Sequence, residues 1–306
     1  MFKILLTGSN GQVGWELNRT LQKVAKVVAF DHYGLDLAQP DLIRKLVREV
    51  KPDIIINAAA YTAVDRAESD VKIAESVNAV APGILAEEAK RIDAILIHYS
   101  TDAVFDGKKR TPYSEDDSPN PINVYGLTKL SGEKAIEEVG LPHMIFRTSW
   151  IYGARGHNFM RTILKLSSER NSIDVVDDQI GAPTWSRLVA EVTTMIILRA
   201  ICNNRGRLTL DFQSGIYNMS AGGQTSWYEF ATAIIELVQS IEVQRAWFEG
   251  NKFAEVLPIP SSNYPLIAKR PLYSILDNQK IRDTFSIALP DWRKQLELCL
   301  SSETII

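Results

Sequence analysis

The 306-residue sequence predicts an α/β protein, a Rossmann-type doubly wound parallel sheet joined to a smaller α/β domain. Three observations carry this. Short β-branched runs alternate with helical patterns through the first half, as the strands and crossover helices of a parallel sheet do. A glycine-rich turn, Gly8-Ser9-Asn10-Gly11-Gln12-Val13-Gly14, follows the first such run directly. Farther on, Tyr125-Gly126-Leu127-Thr128-Lys129 stands at the head of a helical pattern.

In order, residues 2–7 read as the first strand, 12–24 as a helix and 27–30 as the second strand. Leu42, Ile43, Leu46, Val47 and Val50 then recur at helical spacing, with Pro40 placed for a first turn. Ile54-Ile55-Ile56 is wholly apolar, as the buried centre of a parallel sheet requires. An Ala- and Glu-rich helix runs to about Arg91, interrupted or kinked near Pro82. Residues 94–99 and 144–148 read as further strands, and 125–139 as the helix between them.

This assigns residues 1–150 to a dinucleotide-binding domain and 151–306 mainly to a smaller α/β substrate-binding domain. In the second part, 158–168, 188–201 and 226–240 read as amphipathic helices. Residues 215–220 (GIYNMS) read as a strand that returns to the main sheet. The stretch 257–271 carries four prolines and no helical period.

Composition narrows the function. A net charge of −3 argues against a nucleic-acid surface or an anionic-membrane anchor. The two cysteines, Cys202 and Cys299, are far apart and lack ligand spacing, which predicts no disulfide framework, no zinc site and a reduced, cytoplasmic setting. After Lys3, the apolar run Ile4-Leu5-Leu6 is too short for a signal-peptide core, and no segment approaches the length of a membrane span.

The glycine turn has a physical purpose. The chain must turn tightly, a pyrophosphate must approach bare backbone, and helix must pack closely on strand. Gly8, Asn10, Gly11, Gln12 and Val13 are therefore candidate cofactor contacts, at the free N–H groups of a helix N-terminus. Asp31, at the end of the second strand, stands near the position of the acid that binds an adenosine ribose. A carboxylate there favours NADH, and a surface turn is the competing reading. Asp36 and Leu37 could flank an adenine, and Ala58, Ala59 and Ala60 follow the third strand with small side chains.

Tyr125 and Lys129 form the only Y-x-x-x-K in the chain, on one helix face. A tyrosine is a sluggish acid-base group at neutral pH, and a nearby ammonium lowers its pKa. The fourth strand ends in Tyr99-Ser100-Thr101-Asp102, at the sheet edge where ligands bind, so the Thr101 hydroxyl could orient a carbonyl towards Tyr125. The four histidines are scattered, and His98, inside an apolar strand, reads as structural. Nothing resembles a nucleophile triad or a metal cluster.

These residues resemble the extended short-chain dehydrogenases and, among them, the dTDP-4-dehydrorhamnose reductase family over almost the whole length. The matching segments are GSNGQVGWEL (8–17), NAAAYTAVDRAE (57–68), HYSTDAVFDG (98–107), NVYGLTKLSGE (123–133), FRTSWIYG (146–153), DQIGAPT (178–184) and the pair Arg270-Pro271. The resemblance implies hydride transfer from NADH or NADPH to the C4 keto group of dTDP-4-dehydro-β-L-rhamnose, giving dTDP-L-rhamnose. It implies Tyr125 as proton donor, Thr101 as carbonyl partner and Lys129 as support for both Tyr125 and the cofactor. Trp150 and Asp102 would lie at the sugar. Gly11, Gln12, Val13, Asp31, Asp36, Leu37, Ala60, Tyr61, Thr62 and Tyr99 would contact the cofactor.

Ala103 departs from the tyrosine usual in that motif, with altered local packing as the expected effect. Some members dimerise through magnesium. Glu16 could belong to such a site, but Arg187 and Glu191 offer no carboxylate pair, so no metal is expected and a homodimer stays open. Two other readings stand beside the reductase. One is a nucleotide-sugar epimerase, the other a non-catalytic subunit resembling the β subunit of methionine adenosyltransferase. A dehydratase would need Asp-Glu after the threonine, where this chain has Asp102-Ala103.

Overall fold

The structure, a computed structural model, describes residues 2–202, 213–240 and 253–302; the side chains of Ile201 and Cys202 lie outside the description. Its centre is a six-stranded sheet built from β1 (Lys3–Thr7), β2 (Lys26–Phe30), β3 (Ile54–Asn57), β4 (Ile95–Thr101), β5 (His143–Thr148) and β10 (Gly215–Asn218). The order is β10-β5-β4-β3-β1-β2 and every pairing is parallel. The chain steps outward from β1 to β2 and then returns to place β3 on the other side of β1. That reversal opens a crevice at the carboxyl ends of the strands, where ligands of such sheets bind.

Both faces of the sheet are covered. Ile4, Leu6, Ile54, Ile56 and Ile97 point to one face, where they pack with Leu17 and Leu21 of α1 (Gln12–Leu21) and Val189, Ile196 and Ile197 of α8 (Ser186–Cys202). Leu5, Ile55, Leu96 and Ile145 point to the other. There they meet α2 (Pro40–Val50) and α5 (Ala81–Arg91), with α6 (Val124–Val139) beside α5. The alternation of neighbours along one strand is the period-two rule, and burial on both sides explains the unbroken isoleucines of β3.

The helix before β4 is interrupted ahead of Pro82, with the break spread over a full turn. The short helices α3 (Val64–Ala67) and α4 (Val71–Glu75) lead into a π-helical turn, Ser76–Val80, and α5 follows with Pro82 in its first turn. Proline has no N–H to give the Asn78 carbonyl four residues back. That carbonyl instead lies against Gly132 of α6, where a Cβ would collide with it. The Asn78 side chain braces the backbone of Tyr61, accepting from its N–H at 2.9 Å and donating to its carbonyl at 3.0 Å.

The smaller region gathers α7 (Phe159–Glu169), α9 (Trp227–Ser240) and α11 (Trp292–Ser302) around Met160, Ile163, Phe230, Ile234, Trp292 and Leu296. It carries three short two-stranded pairs: β6 (Ile151–Tyr152) with β9 (Thr184–Trp185), β7 (Ser172–Val176) with β12 (Glu255–Ile259), and β8 (Ile180–Gly181) with β11 (Thr225–Ser226). Residues 257–259, at the start of the stretch with no helical period, thus lie in a strand. Among the described residues β12 pairs only with β7, and an edge strand tolerates Pro258.

The cores do not divide at residue 150. Helix α8, strand β10 and α10 (Gln279–Phe285) all come from the second half, yet Val189, Tyr217, Ile281 and Phe285 lie in the core of the large sheet. Among the described residues, no helix is long and apolar enough to cross a membrane.

Candidate active site

The glycine turn leaves β1 at Gly8, whose φ of +69° suits glycine, and whose missing Cβ leaves room for the backbone of Ala58 and Ala59. A Cβ on Gly14 would strike the Gly8 carbonyl, so the helix can close on the strand only with glycine there. No side chain caps α1, whose N-cap is Gly11, so its first N–H groups remain available to an anion. This bare cradle fits the pyrophosphate of a dinucleotide.

From the cradle a groove of about 770 Å³ runs along the carboxyl edge of the sheet. Gly8, Asn10, Gly11, Gln12, Val13, Asp31, Leu37, Ala58, Ala60, Thr62, Tyr99, Tyr125 and Lys129 all line it. Asp31 accepts from Asn10 Nδ2 at 2.8 Å and from the Gly34 N–H at 3.0 Å, which fixes its carboxylate at the groove wall. Two expected contacts do not reach the groove wall. Asp36 turns into its own loop, accepting from the Ala38 N–H at 2.9 Å, a bond that lowers its pKa. Tyr61 points its hydroxyl at Asp70, 2.6 Å away, because Asn78 has pinned its backbone. His32, Gly156 and His157 line the groove instead. His157 and Gly156 lie in the loop after β6, where no motif marked them.

A second cavity, about 460 Å³, opens on the other side of the same strand ends. Phe159, Ile163, Leu166, Val175 and Trp227 make much of it apolar, and Arg270 is the only cation among its lining residues. Arg270 is held by Asp65, which accepts from Nη2 at 2.7 Å. Thr62, Thr101, Tyr125 and Trp150 line both cavities, so the two spaces meet at these side chains.

Tyr125 is positioned by the start of α6. Asn123 caps the helix, accepting from the Gly126 N–H at 2.7 Å, while its own amide donates to the Lys269 carbonyl at 2.8 Å. Gly126 lies so close to the Ala103 carbonyl that a Cβ would collide with it. Burial pushes the Tyr125 pKa up to about 12, and the neighbouring Thr101 hydroxyl only partly offsets this. The sequence had suggested the reverse, a phenol made more acidic by Lys129. The lysine head is engaged elsewhere: Nζ donates to the Tyr99 carbonyl at 2.6 Å and sits 3.1 Å from His98 Nε2. Burial lowers its own pKa to about 8.

Asp102 is buried and accepts from the hydroxyls of Thr101 at 3.0 Å and Ser149 at 2.7 Å; burial still raises its pKa. Thr101 Oγ1 also accepts from the Ala103 N–H at 3.1 Å. Ala103, where the family motif usually has tyrosine, is among the residues lining the second cavity.

Trp150 sits in the left-handed region, at φ +46°, which is rare for a bulky residue and a mark of local strain. Its carbonyl accepts from the Thr184 N–H at 3.2 Å, and its ring stacks on Trp227 with centroids 3.4 Å apart and planes 4° from parallel. Gly181 lies against the indole edge, with no room for a Cβ. Trp227 escaped the sequence reading because helical periodicity over 226–240 marks it only as a first-turn residue of an amphipathic helix. Glu16, considered for a metal, is ion-paired with Arg19 at 2.8 Å and Arg187 at 3.4 Å. Among the described residues there is no cluster of three or more metal-type ligands.

Comparison with known proteins follows the same lines. The model of the RmlD substrate binding domain matches residues 2–305. The dTDP-4-dehydrorhamnose reductase of Burkholderia thailandensis is 45% identical over 298 residues, 97% of this chain and 98% of that protein. The reductase of the same name from Escherichia coli K12 is 41% identical over 294 residues, 95% of this chain and 94% of the relative. The solved dTDP-4-dehydrorhamnose reductase of Bacillus anthracis, in complex with NADP, superposes with a TM-score of 0.84 at 33% identity, covering 97% of this chain and 98% of that one.

Proposed function

The chain belongs to the RmlD substrate-binding-domain family of dTDP-4-dehydrorhamnose reductases, and from that premise we propose that it reduces the C4 keto group of dTDP-4-dehydro-β-L-rhamnose to give dTDP-L-rhamnose. NADH or NADPH supplies the hydride when bound. The observation that carries the reading is the meeting of the two cavities at Thr62, Thr101, Tyr125 and Trp150. A dinucleotide in the longer groove and a sugar in the shorter cavity would be brought together beside the hydroxyls of Thr101 and Tyr125.

The residues divide the work. Gly8, Asn10, Gly11, Gln12 and Val13 hold the pyrophosphate end, and Asp31 faces the adenosine ribose. Thr101, held by Asp102 and the Ala103 N–H, would turn its one hydroxyl proton from Asp102 to the carbonyl oxygen when the sugar is bound. Tyr125 then gives its phenolic proton to the alkoxide. A phenol with a pKa near 12 stays protonated at neutral pH, the state a proton donor needs. Lys129 is poised beside Tyr99 to hold the cofactor ribose, and Trp150 covers an apolar face of the 6-deoxy sugar. Arg270 offers the charge that the diphosphate of the sugar nucleotide requires. Cysteine usage supports a cytoplasmic setting.

The test is oxidation of NADH and of NADPH in the presence of the dTDP-linked 4-keto-6-deoxy sugar. Stoichiometric loss of reduced cofactor with formation of the 4-hydroxy sugar is expected. Isomerised product with no net cofactor loss would identify an epimerase, and no reaction with either cofactor would reject the reductase reading.

A further inference from the structure

The loop after β6 joins the two cavities through one buried residue. Asn158 is not among the lining residues of either cavity, yet its neighbours line both: Gly156 and His157 the groove, Phe159, Thr162 and Ile163 of α7 the second cavity. Asn158 Nδ2 donates to Gln12 Oε1 at 2.9 Å, to the Gly153 carbonyl at 2.8 Å and to the Arg155 carbonyl at 3.1 Å. Its Oδ1 accepts from the Arg161 N–H at 3.1 Å.

Of these four partners, three are backbone groups whose roles cannot change. Turning the Asn158 amide over would set Nδ2 against an N–H and Oδ1 against two carbonyls, three repulsive contacts at a buried site. The orientation of Asn158 is thereby fixed, and it fixes Gln12 in turn. The atom that meets Nδ2 must be an acceptor, Oε1, so Nε2 with both its hydrogens forms the other end of the Gln12 amide. Among the described residues nothing accepts from Nε2, and Gln12 stands half-buried in the groove wall, at the first position of α1 beside the glycine cradle.

The loop is held on both sides. The Arg155 guanidinium lies over the Trp15 ring of α1, 4.0 Å from its centroid, and Arg161 Nη1 donates to the Ala154 carbonyl at 2.7 Å. Gly156, at φ +72°, permits the close approach: a Cβ there would come within 3.3 Å of Gln12 Cγ.

We propose that Asn158 is a positioning residue for the cofactor, holding the Gln12 amide with its N–H groups free for the phosphate oxygens of the dinucleotide and its carbonyl turned away from them. Phosphate oxygens are acceptors, so an amide N–H binds them and an amide carbonyl in the same place repels them. Asn158 Oδ1 has a separate task, the N-cap of α7. Serine at this position would keep a cap acceptor and lack the amide, whereas alanine would lack both.

The inference rests on the groove being the cofactor site, and titration of the cofactor-free protein with NADH and with NADPH, followed by fluorescence, tests the two together. Gln12→Met should raise Kd about tenfold, the worth of one hydrogen bond to a charged group. Asn158→Ser and Asn158→Ala should each raise it about threefold, since a released Gln12 amide loses rotamer freedom on binding. In the Gln12→Met background, Asn158→Ser should add nothing. The lost cap should lower the urea midpoint of Asn158→Ala below that of Asn158→Ser while their Kd values agree. An unchanged Kd in Asn158→Ser would overturn the proposal, as would a rise confined to Asn158→Ala or a full further rise in the Gln12→Met background. A wild type that binds neither nucleotide would overturn the cofactor reading of the groove and the role of Asn158 with it.

Discussion

At the scale of single residues, the chemistry depends on where hydroxyls and rings are held. Tyr125 shares the junction of the two cavities with Thr101, so Tyr125→Phe removes the proton donor while leaving the groove intact. Turnover should fall by ~10²–10⁴-fold, the worth of a positioned general acid, with cofactor affinity nearly unchanged by titration; near-normal turnover would reject the role. Asp31 presents a fixed carboxylate at the groove wall, on the proposed reading beside the adenosine ribose, with His32 next to it. NADH should therefore be usable, and Asp31→Ala should shift the ratio of kcat/KM values towards NADPH. An unchanged ratio would remove Asp31 from cofactor choice. Trp150 is both cavity wall and stacking partner of Trp227. Trp150→Ala should raise KM for the sugar nucleotide by an order of magnitude or so, as loss of a large aromatic contact does, while the KM for cofactor stays put. Normal sugar binding by a folded variant would assign the ring to packing alone.

At the scale of elements, the position of α6 decides whether Tyr125 and Lys129 reach the site. The helix is pressed to its neighbours at Gly126 and Gly132 and tied to β5 by Glu133 and Arg147, both fully buried. A buried pair contributes little against an apolar replacement, but breaking one side strands the other charge. Glu133→Gln should therefore cost about 3 kcal/mol of stability, read as a lower urea midpoint with an unchanged slope. A midpoint equal to wild type would mean that water or another partner reaches Arg147. In the π-helical turn, Pro82 withholds an N–H from the Asn78 carbonyl, which lies against Gly132, while the Asn78 side chain braces Tyr61. Asn78 thus touches both α6 and the loop after β3.

Across the whole molecule, the chain leaves the large sheet after β5 and returns to complete it. Helix α8 covers α1, and β10 supplies the sixth strand. A fragment ending at residue 150 would expose Leu17, Leu21, Met144 and Phe146, which the second half now covers. It should show no cooperative unfolding and should bind hydrophobic dyes, because the uncovered face is too large to leave in water. A sharp thermal transition with native near-ultraviolet dichroism in that fragment would contradict this. The Asp65–Arg270 pair and the Asn123–Lys269 bond likewise fasten the late segment 268–270 to the first half, beside the sugar-side cavity.

The sequence by itself determined the parts written in local periodicity and fixed spacing. The parallel sheet, the glycine cradle, the i, i+4 placement of Tyr125 and Lys129, and the strand end at Thr101 all follow from contiguous residues whose geometry leaves few alternatives. Tertiary structure decided what depends on partners distant along the chain. Asp36 and Tyr61 turn from the groove because Ala38 and Asp70 offer better bonds. Lys129 donates to the Tyr99 carbonyl and lies against His98 because the fold buries its head between them. Trp227 joins Trp150 across 77 residues, and β10 crosses back to β5 over a similar distance. Side-chain hydrogen bonds and ring contacts act through space over a few ångströms, and no pattern along the chain encodes which surfaces the folded backbone will bring within that range.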